Sequence, residues 1–133
     1  MATEGLLIAL CYVFILTFIC FPGLTDDTHF GFLAHVKNEA NWYNLLCLII
    51  FNSCDLTGRY IGGSACADLP RKAVLWMGYL RTIFLVTFLL IAFEVAPVWL
   101  FQADWFKVIN FALFAFTNGY TSTLCAVKAP QTV

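Results

Sequence analysis

Three long apolar runs, and a fourth segment that is apolar only in its first half, give the chain its pattern, with polar stretches between them. A run of about 17 or more apolar residues is long enough to cross the ~30 Å hydrocarbon core of a bilayer as a helix. The pattern predicts helices over about residues 5–21, 42–67, 73–93 and 105–127. Proline, glycine and charged residues in the stretches between them are typical of helix ends. The predicted fold class is an all-α integral membrane protein with four transmembrane helices, and residues 1–133 form a single membrane domain.

The second predicted helix changes character at Phe51. Its first half is almost entirely apolar, whereas its second half carries amides, hydroxyls, glycines and charges. A lipid-facing helix would not tolerate these groups, but a helix that lines a cavity does. The polar half therefore indicates a functional face, and its glycines permit close packing against another helix.

Asp55 and Arg59 stand four residues apart in this polar half, and Asn52 precedes them by one turn. Residues at i and i+4 lie on one face of a helix, so the acid and the base point the same way. A charge at bilayer depth costs at least about 2.5–3.5 kcal/mol on insertion scales, so it needs a partner, a bundle interior or a wet cavity. Two interpretations follow: Asp55, Arg59 and Asn52 bind a substrate, or the acid and base only neutralise each other.

The third predicted helix contains one charge far from its ends, Arg81. At 1.5 Å per residue, Arg81 lies about 13 Å along the helix from Lys72. Its side chain can extend back to the membrane interface, pair with Asp55, or serve a gate. These three alternatives are open at the level of sequence.

Polar residues of the fourth predicted helix fall largely on one broad face, at Asn110, Thr117, Asn118, Thr121, Ser122 and Cys125. Such a face can line the same cavity as Asp55. The alternative is that these groups bond neighbouring helices or the carbonyls of their own helix. We predict that Arg81, Asn110, Asn118 and Thr121 line or gate the cavity.

The composition excludes several classes of function. Hydrophobic residues make up 62% of the 133 residues, charged residues only 11%, and the mean hydropathy is +0.85, whereas soluble domains carry about 25% charge. A net charge of -1 gives no reason to expect a nucleic-acid partner. The sequence shows no nucleotide-binding loop, no Ser/His/Asp grouping and no metal-ligand spacing, and its six cysteines are interpreted as packing residues. We expect no enzyme activity, no cofactor and no metal.

The basic residues predict the orientation. Arg71, Lys72 and Lys128 fall on one side of the membrane, whereas Lys37, Lys107 and most acidic residues fall on the other. Basic residues in short loops favour the cytoplasmic side. Both ends of the chain and the turn at Pro70 are therefore expected in the cytoplasm, most simply at the plasma membrane.

Nearly the whole chain resembles the equilibrative nucleoside transporters. The matching residues are Phe51-Asn52, Asp55 and Gly58-Arg59 in the second segment, then Asn118-Gly119-Tyr120, Leu124-Cys125 and Ala129-Pro130 at the end of the fourth; Phe21-Pro22 also fits. In order and spacing they are similar to helices seven to ten of the eleven in that family. The chain departs from the family at Thr123, where Ser is frequent, and at Gln131, where a basic residue is common.

The resemblance implies a major-facilitator-like architecture in which two helical bundles enclose a central nucleoside site. In that family, the acid and base that match Asp55 and Arg59 contact the ribose hydroxyls. The other helices of the family have no counterpart in these 133 residues, so the chain is expected to supply one wall of the site and to need further helices or a partner chain. The alternative is a non-transporting four-helix membrane protein that assembles with or regulates a partner.

Overall fold

The computed structural model describes residues 2–24, 39–65, 69–93 and 103–131, and nearly all of them are helical. The helices are α1 (Ala2–Phe18), followed by a π-helical turn (Ile19–Leu24), α2 (Glu39–Ala65), α3 (Arg71–Leu80), α4 (Thr82–Ala92) and α5 (Asp104–Gln131). The expectation of an all-α fold is confirmed for these residues. The predicted loops at 25–38 and 94–102, together with Cys66 and Ala67 at the predicted end of the second helix, lie outside the described residues.

The first helical segment ends at Phe21, where the backbone leaves the helical region at φ −133° and ψ 122°. A proline disfavours the helical conformation of the residue before it, and Pro22 follows Phe21 in the sequence. Phe21 thereby turns its ring against Phe51 of α2, in a stacked pair whose centroids are 5.0 Å apart. The break that proline imposes on the backbone thus creates a contact between two helices.

The helices α3 and α4 follow one another through Arg81, whose backbone stays in the right-handed helical region at φ −61° and ψ −17°. Helix α3 begins at Arg71, two residues before the start at residue 73 that the sequence pattern predicts. Pro70 caps it, and its carbonyl accepts the backbone N–H of Ala73 at 2.9 Å. Proline suits the start of a helix because the first turn needs no N–H donor from it.

Two stretches among the described residues are long and apolar enough to cross a membrane, Glu4–Phe21 and Arg71–Ile91. Two other helices, α2 and α5, are longer, at 27 and 28 residues, but carry more polar groups. Length and composition alone therefore divide the long helical segments into two classes.

The buried apolar residues form two clusters at different levels of the bundle. One is rich in aromatic rings and contains Cys20, Tyr43, Cys47, Phe88, Phe111 and Phe114. The other contains Leu6, Ala9, Val74, Leu124, Cys125 and Ala129. Along α1, α3–α4 and α5, the residues between these clusters include Thr17, Arg81 and Asn118, which are buried and polar. A polar layer therefore lies between two apolar ones.

Candidate functional site

Close contact between α2 and α5 positions the candidate site. A Cβ on Gly58 would collide with the carbonyl oxygen of Phe116 and lie 2.9 Å from the backbone nitrogen of Tyr120, and a Cβ on Gly119 would collide with the carbonyl oxygen of Asp55. Only glycine at these positions lets the two backbones approach so closely. Because Gly119 lies against Asp55, the neighbouring side chain of Asn118 is brought within reach of the Asp55 carboxylate.

Asp55 and Arg59 form the ion pair that their spacing suggested. The Nε of Arg59 donates to Oδ2 of Asp55 at 2.6 Å. The Asp55 side chain is 13% exposed, whereas that of Arg59 is 45% exposed. The carboxylate therefore lies at the edge of the bundle interior, and the guanidinium extends outward from it.

Asn118 of α5 provides the second partner of the carboxylate. Its Nδ2 donates to Oδ1 of Asp55 at 2.6 Å, so each carboxylate oxygen has one donor. The Oδ1 of Asn118 accepts from Nη1 of Arg81 at 2.8 Å. The hydroxyl of Thr17, whose single hydrogen can be shared with the carbonyl of Val13, lies 2.7 Å from the same oxygen. The side-chain amide of Asn118 on α5 thus contacts residues of α1, α2 and the α3–α4 junction.

Arg81 points into the bundle and does not extend to an interface, since it is only 2% exposed. Its guanidinium carbon lies 4.9 Å from the centre of the Phe114 ring, within the range of a cation–π contact. It is linked to Asp55 through the side-chain amide of Asn118. Of the three alternatives drawn from sequence, the structure therefore gives Arg81 an indirect link to Asp55. Its gating role stays a prediction.

A small pocket of about 100 Å³ borders Arg81 between α3–α4 and α5. Its lining residues are Met77, Leu80, Arg81, Phe84, Thr117 and Thr121. Thr121 is buried there, at the level of the polar layer. The Nε of Arg81 has no hydrogen-bond partner among the described residues.

The remaining predicted residues lie apart from this group. Asn52 is exposed on α2, and its Nδ2 donates to the carbonyl of Leu48 at 2.8 Å. Asn110 is buried beside Thr87, whose hydroxyl is 3.4 Å from Oδ1 of the amide. The structure therefore unites Asp55, Arg59, Asn118 and Arg81, places Asn52 on the exposed side of the same helix, and leaves Asn110 at another level of the bundle. Their proposed roles in binding stay predictions.

Sequence reasoning missed Thr17 and Phe114 as parts of this site, and it noted Gly119 only as part of the family resemblance. Thr17 lies in an apolar run, so from sequence its hydroxyl is expected to donate a hydrogen bond to a backbone carbonyl of its own helix. The requirement for Gly119 depends on how α2 and α5 approach each other. No periodicity within either helix carries that information.

The group as a whole offers a carboxylate that accepts hydrogen bonds, an exposed guanidinium that donates them, and an amide that orients the carboxylate. Among the described residues, no three acidic, histidine or cysteine side chains come together in a way that could hold a metal ion. The chemistry that this arrangement supports is recognition of hydroxyl and other polar groups.

Comparison with known proteins shows which family the chain resembles. A family model described as "Nucleoside transporter" matches residues 3–133. The chain is 22% identical to adenosine transporter 1 of Crithidia fasciculata over 133 residues, which is 96% of this chain and 24% of that protein. It is 27% identical to human equilibrative nucleoside transporter 1, covering 94% of this chain and 28% of that one. It is 28% identical to equilibrative nucleotide transporter 2 of Arabidopsis thaliana, covering 96% and 28%.

The chain therefore spans only about a quarter of the length of these curated relatives. No solved structure gives a significant match.

Proposed function

Because the chain belongs to the nucleoside transporter family, we propose that it takes part in equilibrative transport of nucleosides or nucleobases across a membrane and supplies one wall of the substrate site. The observation that carries this proposal is the partly exposed Asp55–Arg59 pair, held from behind by Asn118. It lies in the polar layer between two apolar clusters, a position that fits the midplane sites of transporters.

The pair has the chemistry that ribose requires. A carboxylate accepts hydrogen bonds from two hydroxyls, and a guanidinium donates to their oxygens. Such charge-assisted bonds are stronger than neutral ones, and more so in a partly dry cavity than in water. Asn52, exposed one turn before Asp55 on the same helix, supplies a further polar group to a substrate there.

A complete site needs a second wall. Transporters of the major-facilitator kind hold substrate between two bundles that rock about a site near the bilayer midplane. In our proposal α1, α2, the α3–α4 run and α5 each cross the membrane and form part of one bundle. Further helices or a partner chain close the cavity opposite Asp55. The alternative of a non-transporting regulatory protein is not favoured, because the family match extends over almost the whole chain.

Orientation forms part of the proposal. Arg71, Lys72 and Lys128 lie at one end of the bundle, and basic flanks favour the cytoplasm. A membrane-impermeant thiol reagent applied to intact cells should therefore label a cysteine introduced at Asp27 or Gln102 and spare one at Lys72, in a background without the native cysteines. Labelling only of the cysteine introduced at Lys72 would show that the chain has the opposite orientation.

The central test replaces Asp55 in the complete carrier that contains this segment. Asp55→Ala should remove most saturable nucleoside uptake, because it deletes the acceptor for the ribose hydroxyls, and Asp55→Glu should retain more. Thr57→Ala is the matched control, since Thr57 is exposed on the same helix and its hydroxyl donates to the carbonyl of Ser53.

Uptake should be divided by the amount of carrier at the surface, because loss of one partner leaves Arg59 without its counter-charge. If the Asp55→Ala carrier takes up as much nucleoside per molecule as the wild type, Asp55 is not part of the substrate site.

A further inference from the structure

The direction of the Asn118 side-chain amide is fixed by the chemistry of its neighbours. Arg81 has donors only, so it can bond only the Oδ1 of Asn118. An ionised Asp55 has acceptors only, so the Nδ2 of Asn118 must face it. Since Asn118 is only 2% exposed, little water competes for either atom. The amide is thus held in one orientation between a cation and a carboxylate.

We propose that Asn118, held by Arg81, is a positioning residue that orients the Asp55 carboxylate for the substrate hydroxyls. This inference rests on the proposed function and assigns a role to residues behind the site. Arg81 acts through Asn118, because their bond places the amide hydrogen toward Oδ1 of Asp55. Arg59 holds the other oxygen. Two donors on two oxygens fix the plane of the carboxylate, and each oxygen keeps lone pairs for a hydroxyl.

Backbone packing supports this arrangement. Gly119 lies against the Asp55 carbonyl, and Gly58 lies against that of Phe116, so the spacing of α2 and α5 is set by backbone contact on both sides. The distance from Asn118 to Asp55 therefore depends little on side-chain flexibility. A hydrogen bond across rigid elements holds a binding group more closely than one made by a loop.

The most selective test is Asn118→Asp in the complete carrier. The new carboxylate still accepts from Arg81 and Thr17, so the buried cation keeps a partner, but the N–H that holds Oδ1 of Asp55 is replaced by an acceptor whose negative charge repels that carboxylate. The readout is the ratio of KM for 3′-deoxyadenosine to KM for adenosine. For a carrier that transports uridine, the ratio compares 3′-deoxyuridine with uridine. If a charge-assisted bond holds the 3′-hydroxyl, we expect this ratio to be about 10 to 100 in the wild type.

We expect Asn118→Asp to lower this ratio about tenfold, mostly by raising KM for the parent nucleoside. General damage to folding would lower the amount of carrier and leave the ratio unchanged. Arg81→Met removes the cation without leaving an unpaired charge. It should lower the ratio by a smaller factor in the same direction, because the amide keeps its donor but loses its anchor. Thr57→Val on the exposed side of α2 serves as control and should keep the wild-type ratio.

Asp55→Asn separates this inference from the function on which it rests. If Asp55→Asn keeps the wild-type ratio, the assignment of the ribose site to Asp55 fails. If Asp55→Asn lowers the ratio but neither Asn118→Asp nor Arg81→Met does, Asn118 only stabilises the bundle and the positioning role is overturned. Should Asn118→Asp fail to reach the membrane, the ratio measured for Arg81→Met decides between these outcomes.

Discussion

The helix pair α2–α5 differs from the segments α1 and α3–α4 in how it packs within the bundle. Segments α1 and α3–α4 contain the stretches that are apolar enough to cross a membrane by composition alone. Helices α2 and α5 carry the ion pair, the amide and the glycines, and their backbones come into direct contact. The two longest helices in the described part of the chain are thus the more polar ones, and they hold most of the candidate site.

Polar groups are accommodated in this apolar protein by hydrogen bonds within and between helices. Apolar segments can rely on surrounding lipid or apolar neighbours, whereas buried polar groups need hydrogen-bond partners. Asp55 finds them in Arg59 of its own helix and Asn118 of the other. Close backbone approach at Gly58 and Gly119 makes the second bond possible. Polarity and tight packing therefore occur together.

The largest expected effect appears when single segments are tested outside the bundle. In a translocon-insertion reporter, residues 4–21 should insert almost completely and residues 39–65 poorly, because Asp and Arg near a helix centre each cost about 2.5–3.5 kcal/mol. Replacing both Asp55 and Arg59 with Leu should raise insertion of 39–65. Glycosylation of acceptor sites in the flanks measures the inserted fraction. Equal insertion of the two native segments would remove the distinction between the two classes of helix.

A second, smaller effect concerns the glycines. Gly58→Ala should destabilise the protein by about 1–3 kcal/mol or more, because its Cβ would meet the backbone of α5. Gly63→Ala is the matched control five residues later on α2, where a Cβ meets nothing within 4 Å. Alanine there should be neutral or stabilising by about 0.5–1 kcal/mol. Monodisperse protein remaining after heating, followed by size-exclusion chromatography, provides the measurement. A similar loss for both variants would contradict the close contact.

The smallest effect distinguishes a hydroxyl inside the polar layer from one outside it. Thr17→Val should cost about 1 kcal/mol, because the hydroxyl near Oδ1 of Asn118 is lost while Arg81 still donates to that oxygen. Thr57→Val on the exposed face of α2 should change stability by less than about 0.5 kcal/mol. The same heating assay compares them. Equal midpoints would show that Thr17 serves only its own helix through the carbonyl of Val13.

Much of the site was accessible from sequence where it depends on one helix. The four-residue spacing of Asp55 and Arg59 implied a shared face, and the structure joins them at 2.6 Å. The fate of Arg81 was not accessible, because extending to the interface and pairing within the bundle are both compatible with its place in the helix. The structure shows that Arg81 is buried and donates to Asn118, so its side chain stays within the bundle.

The apolar helices, the polar half of α2 and the family resemblance could be predicted from the amino-acid sequence, because they follow from local periodicity and from residues at fixed spacings. Tertiary structure alone decided that Asn118 faces Asp55, that Thr17 and Arg81 share its oxygen, and that Gly119 lies against the Asp55 backbone. Helical periodicity states which residues share a face, but it does not state which face of another helix they meet. That choice depends on how closely two backbones can approach, which only the packed bundle fixes.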